Sequence, residues 1–145
     1  MRNNQRWIMV DGRVKGRNFE YETAKNLEDE LGIKFKRDIE QYRQQDRGDL
    51  LADDPDWPFV IECKRYSKGN GCNPAWQKQA TSAAVAANKM PVVIYKYNHR
   101  EVVCSLPMEV INPMYRGCGF WADISFGAFC YIAREWMSKN EPDTF

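Results

Sequence analysis

The segment that most constrains the fold is the run Phe59-Val60-Ile61-Glu62-Cys63-Lys64, an apolar stretch that ends in an acid and a lysine. It follows Asp53-Asp54-Pro55-Asp56, a turn-rich cluster, which in turn follows Asp49-Leu50-Leu51-Ala52. Apolar runs of this length bounded by turn residues are strands, and this pair predicts an antiparallel hairpin. Strand alternation places Val60, Glu62 and Lys64 on one face and Phe59, Ile61 and Cys63 on the other. Charged groups at the end of a buried strand need partners, because burying unpaired charge is costly. Either Glu62 and Lys64 form a structural pair, or the strand delivers them to a working site.

The flanking segments supply the rest of one domain, which 145 residues can form around a core without staples. A helix is expected from Gly16 to Asn18 onward, ending at Leu31 with Gly32 as its stop. Its stripe of Ala24, Leu27 and Leu31, carried back one turn, aims Glu20 inward and leaves Glu22 outside with Asn26 and Asp29. Residues 1 to about 15 lack a period and read as a basic arm. Ile33 to Ile39 alternates as a half-buried strand, with Ile33, Phe35 and Ile39 on one face and Lys34, Lys36 and Asp38 on the other. Arg43 to Arg47 reads as a loop, as does Lys68 to Pro74. A second helix runs from Pro74 or Ala75 to Asn88, and its face of Trp76, Ala80, Ala83, Ala84 and Ala87 is small enough to lie close on a sheet. Trp76 reads as core in preference to a base-stacking platform. Strands follow at Val92 to Tyr95 and Glu101 to Ser105, around a turn at Asn98-His99-Arg100. The order α-β-β-β-α-β-β predicts an α/β fold, a mixed central sheet flanked by helices. Residues 106–145 form an extension ending in a helix from Ser125, whose stripe of Phe126, Phe129, Cys130, Ala133 and Met137 is either core or a dimer seam.

A net charge of +1 excludes a strongly basic nucleic-acid binder, but the charge is uneven. Arg2, Arg6, Arg13, Lys15 and Arg17 share the N-terminal stretch with Asp11 as the only acid. Lys64, Arg65 and Lys68 form a second cluster. Both are candidates for phosphate contacts, against the alternative of a solvated surface. Five cysteines without a CxxC pair, and one histidine, His99, predict reduced thiols in place of a zinc site. His99 reads as a surface turn residue. With no bilayer-length apolar stretch and no apolar leader in Met1 to Arg6, the expected location is cytosolic, without a membrane partner.

The chemistry lies in the carboxylates. If Asp49 sits on the hairpin strand beside Glu62, the two acids repel unless a cation separates them. Oxygen ligands select a hard ion, Mg2+ or Mn2+. Cys63 faces away, and only its backbone carbonyl can join such a shell. Glu20, aimed inward, could complete the shell or hold a second ion. Lys64 would orient a water or stabilise charge at phosphorus. These are the requirements of phosphodiester hydrolysis.

The pattern resembles the PD-(D/E)xK nuclease superfamily and, within it, phage and archaeal Holliday-junction resolvases. The matching residues are Lys15-Gly16-Arg17-Asn18-Phe19-Glu20, Gly48-Asp49-Leu50, Ile61-Glu62-Cys63-Lys64-Arg65-Tyr66, Trp76-Gln77-Lys78-Gln79-Ala80 and Pro91 to Lys96, spread over about residues 15 to 105. The resemblance implies a restriction-endonuclease-like fold. It assigns Glu20 as the helix glutamate, Asp49 as the metal aspartate, Glu62 and Lys64 as the ExK pair, and Gln79 as the glutamine of the following helix. It implies an Mg2+-dependent endonuclease acting on four-way DNA junctions, a homodimer because two strands must be cut, in phage recombination or replication. The alternatives are a nuclease of linear, flap or single-stranded DNA, and a non-catalytic DNA-binding protein on the same fold. One departure is glycine, not proline, before Asp49.

Overall fold

The computed structural model describes the backbone of residues 2–39 and 48–139, and side chains from residue 12 onward. The Arg43–Arg47 segment and the side chains of Arg2 and Arg6 lie outside the described residues. The elements are α1 (Arg2–Leu31), β1 (Phe35–Arg37), β2 (Leu50–Ala52), β3 (Phe59–Tyr66), α2 (Pro74–Ala87), β4 (Met90–Tyr97), β5 (Val103–Pro107), α3 (Met108–Ile111), a 3-10 turn at Pro113–Tyr115, β6 (Trp121–Ser125) and α4 (Phe126–Ser138). The strands form one sheet of six in chain order, β1-β2-β3-β4-β5-β6.

Only β3 and β4 run parallel, in register from Phe59 opposite Met90 to Tyr66 opposite Tyr97. Parallel neighbours need a crossover, and α2 provides it. Asn73 opens α2 by accepting from the Ala75 N–H, and Asn88 closes it in the left-handed region at φ 55°. The alternation of β3 then sorts the two layers. Phe59 and Ile61 join Val92, Ile94, Cys104 and Leu106 beneath α1 and α4, which contribute Phe19, Leu27, Phe129 and Ala133. Val60 packs on Ala83 and Ala84 of α2, and Val93, Tyr95 and Tyr97 pack on Ala80. The mixed sheet with helices on both faces is the predicted α/β architecture, and the hairpin pairs with Leu50 opposite Ile61.

Four expectations are corrected. The N-terminal stretch is not an arm, since α1 runs from Arg2. No proline interrupts that span, and Gly12 and Gly16 each cost a helix only about 1 kcal/mol. The β1 alternation ends at Arg37: Asp38 is buried, its N–H donating to the Asp49 carbonyl at 2.9 Å, while Ile39 is exposed. The strand expected from Glu101 starts at Val103. Finally, the C-terminal extension is part of the sheet. β6 pairs antiparallel with β5, and the α4 stripe turns inward, with Phe129 and Ala133 completely buried. That stripe packs as core. All five cysteines are free thiols, and His99 lies exposed in its turn at φ 61°.

Candidate active site

The site forms where β2 and β3 separate. The Asp49 N–H donates to the Ile61 carbonyl at 2.8 Å. Two residues further along β3, the Cys63 N–H donates to Asp49 Oδ2 at 2.6 Å, where a continued ladder would offer a backbone carbonyl. This bond fixes the Asp49 carboxylate against the middle of β3, with Glu62 beside it. The approach is so close that a Cβ on Gly48 would lie 2.2 Å from the Ile61 carbonyl oxygen. Glycine before Asp49 is therefore a packing requirement of this chain, and proline would clash there.

Glu62 is 2% exposed, and its Oε2 has no hydrogen-bond partner among the described residues. Burial, and then the nearby charge of Asp49, push its carboxyl up to about 8, against the opposing pull of Lys64. Lys64 follows on the same face and donates from Nζ to Gln79 Oε1 of α2 at 2.9 Å. Glu20 comes from α1 on the inward side, as its helical position predicts, while Glu22 is exposed. Burial raises the Glu20 carboxyl and the Asp49 charge adds to the rise, while Lys64 opposes it. Arg37 of β1 lowers it most, through a short ion pair between its Nε and Glu20 Oε2.

A Glu62 carboxyl that burial and the neighbouring Asp49 charge drive toward protonation fits a bound cation beside it. The Cys63 thiol does not belong to that donor set, because strand alternation turns it to the α1 side, against the core and away from Glu62. Its carbonyl could join the set, since N–H and C=O of one strand residue project to the same side and this N–H meets Asp49. No cluster of three His, Cys, Asp or Glu side chains converges as a metal cage among the described residues. The oxygen set here is instead Asp49, Glu62 and one carbonyl, with Glu20 occupied by Arg37. That set suits a hard, partly hydrated ion such as Mg2+.

Sequence reasoning overlooked Arg37. The available signal was its place between Phe35 and Ile39 on the inward face, where a guanidinium needs an acid. Among the basic candidates, Arg13 and Arg17 are exposed and share an i, i+4, i+7 stripe with Glu20. Lys15 reaches Ser67 Oγ at 3.4 Å, tying α1 to the end of β3. Arg65 donates to the Tyr66 carbonyl at 2.7 Å, and Lys68 is exposed.

The solved structure of Hjc from Archaeoglobus fulgidus, a Holliday junction resolvase from an archaeal hyperthermophile, has a TM-score of 0.53 at 13% identity, covering 82% of this chain and 98% of that one. At that identity the likeness shows a shared fold. No curated protein matches the chain. The family model described as "Phage putative PDDEXK endonuclease" matches residues 11–120, a span that holds Glu20, Asp49, Glu62, Lys64 and Gln79. The chain belongs to this phage PDDEXK endonuclease family.

Proposed function

We propose that this nuclease is an Mg2+-dependent endodeoxyribonuclease, with Mn2+ able to substitute, that cuts branched DNA and four-way junctions in particular. The observation that carries the reading is the buried Glu62 Oε2, left without a hydrogen bond beside an Asp49 carboxylate that β3 itself holds in place. A buried carboxylate oxygen without a partner needs a compensating charge, since burying an uncompensated carboxylate costs several kcal/mol. A divalent ion at this position would supply a more acidic water and a polarised phosphate.

The chain's own residues define the rest. Asp49 and Glu62, with the Cys63 carbonyl, would hold the ion. Gln79 fixes the Lys64 ammonium at the end of β3, where it stabilises negative charge developing at phosphorus and orients the attacking water. Arg37 holds Glu20 at the margin of the acidic pair, so Glu20 acts by receiving or relaying a proton from solvent in preference to direct ligation. Arg13, Arg17, Arg65 and Lys68, together with Lys15 and the Arg2 and Arg6 positions, would contact backbone phosphates. The junction preference is carried over from the resolvase that shares the fold. Paired cuts in two strands would require a two-fold homodimer. The work would take place in the host cytoplasm during phage recombination or replication. Among the described residues no helix is long and apolar enough to cross a membrane.

The test is cleavage of a four-way junction and of a linear duplex of matched sequence, each with Mg2+ or EDTA. Asp49→Asn, Glu62→Gln and Lys64→Ala should each abolish cutting. Equal rates on both DNAs would sink the junction preference and spare the nuclease. Undiminished cutting by Asp49→Asn or Glu62→Gln would sink the site. A wild-type protein that binds DNA yet cuts nothing with any divalent ion would be a binding module.

A further inference from the structure

The α2-facing side of β3 carries Val60, Glu62, Lys64 and, last, Tyr66. Helix α2 holds the final two of these from consecutive turns. Gln79 accepts from Lys64, and Trp76, three residues earlier, lies nearly parallel to the Tyr66 ring, with centroids 5.2 Å apart and 13° between planes. Trp76 is braced from behind by Tyr95 at 5.9 Å and Tyr97 at 6.3 Å. Tyr97 is itself anchored, its hydroxyl donating to the Gly71 carbonyl at 2.7 Å. Tyr66 is therefore the exposed ring of a four-membered aromatic cluster, with 49% of its surface open.

An isolated exposed tyrosine needs no explanation. This one is stacked on Trp76, which two further tyrosines pack against, next to the acidic site and among cations. Lys64 and Arg65 precede it, Lys68 follows, and Lys15 holds Ser67 beside it. The distance along the strand from Lys64 to Tyr66 is about 6.6 Å for two residues. A strand whose phosphate meets Lys64 thus brings a neighbouring nucleotide to Tyr66. A rigid ring with one face already stacked is preorganised for a second planar partner, and base stacking on aromatic side chains is tolerant of sequence. Bases inside a duplex have both faces covered by their neighbours, so such a ring selects a base that has left the stack.

We propose that Tyr66, backed by Trp76, is a stacking platform for an unpaired nucleobase flanking the scissile phosphate, and that it gives the enzyme its preference for branched or gapped DNA over intact duplex. The proposal rests on the reading of Asp49 and Glu62 as a DNA-cleaving site. It assigns Trp76 a second role beyond the packing expected of it.

The test uses full-length Asp49→Asn protein, to bind without cutting, and a four-way junction and a gapped duplex with 2-aminopurine at the unpaired or branch-flanking position. Binding should quench the probe. Adding Tyr66→Leu should abolish the quenching and lower the ratio of branched to duplex affinity by roughly 5- to 150-fold. Tyr66→Phe, which keeps the ring, should restore both. Circular dichroism of each variant separates these effects from misfolding. Retained quenching in Tyr66→Leu, or an equal loss of affinity for both DNAs, would overturn the platform, as would an absence of DNA binding by the Asp49→Asn parent. The two readings fail separately. A wild-type protein that binds and quenches but never cuts refutes the cleavage reading alone. One that cuts with an unaltered substrate ratio in Tyr66→Leu refutes the platform alone.

Discussion

Replacing Glu62 with glutamine should make the metal-free protein more stable at neutral pH and flatten its dependence on pH. The Glu62 carboxyl is raised from 4.5 to about 8, with burial as the main cause and the Asp49 charge as the second. The unfolded chain releases this proton near 4.5, whereas the folded chain retains it until about 8. The folded state is thus favoured below the lower value, and that advantage is lost as pH rises through the window. Each unit is worth about 1.4 kcal/mol, which puts the upper bound between pH 4.5 and pH 7 at about 3.4 kcal/mol. Local relaxation and water entry reduce such penalties, so about 1–2 kcal/mol is expected in practice. Urea unfolding in EDTA at pH 5, 6, 7 and 8 measures it. Wild type should weaken steadily across that series, and Glu62→Gln should weaken much less. Saturating Mg2+ should restore the wild type at pH 8 and leave Glu62→Gln little changed. Parallel pH profiles for the two proteins in EDTA would refute the claim that Glu62 is held as a strained, buried acid.

Three further perturbations probe the frame. Gly48→Ala forces a Cβ to within 2.2 Å of the Ile61 carbonyl oxygen, and should cost about 2–3 kcal/mol and lower the thermal midpoint; an unchanged melt would mean that β2 can shift freely. Gln79→Ala releases the Lys64 ammonium and should lower kcat by roughly 10- to 100-fold with little effect on stability, whereas an unaltered rate would reduce Gln79 to a surface residue. Phe129→Ala empties a fully buried position between α4 and the sheet and should cost about 3–5 kcal/mol in urea unfolding. A Phe129→Ala protein as stable as its parent would return that face to the surface.

The legible parts of this chain were those where one periodicity acted alone. The β2–β3 hairpin and the small-residue face of α2 follow from alternation and helical spacing, and both packed as expected because nothing competed with them. Glu20 was separable from Glu22 for the same reason. Illegible parts were those decided by a partner distant in sequence. The run Trp121-Ala122-Asp123-Ile124-Ser125 contains an acid and follows a glycine-rich stretch, so it lacks a strand's apolar pattern. It becomes β6 because the edge of β5 offers a ladder from Val103 to Pro107. Ile39 misled for the opposite reason. Its alternation promised an inward residue, but the strand ends at Arg37, and Asp38 takes the buried position with its N–H on the Asp49 carbonyl.

The site itself was half legible, and the missing half concerns the backbone. Residue types identified Asp49, Glu62 and Lys64, but no spacing rule shows that the Cys63 N–H will choose a carboxylate over a carbonyl. That choice has two consequences. It pins one acid beside another whose Oε2 has no hydrogen-bond partner among the described residues, and it turns the Cys63 carbonyl toward the same gap. The choice also explains the glycine at position 48. A residue with a Cβ would push β2 off the Ile61 carbonyl, lengthen the Asp49 to Cys63 bond and separate the two carboxylates. Gly48, the Cys63 N–H and Arg37 each set where a carboxylate sits. If the acids supply the reactivity, the departure of β2 from β3 decides whether it is focused on one point.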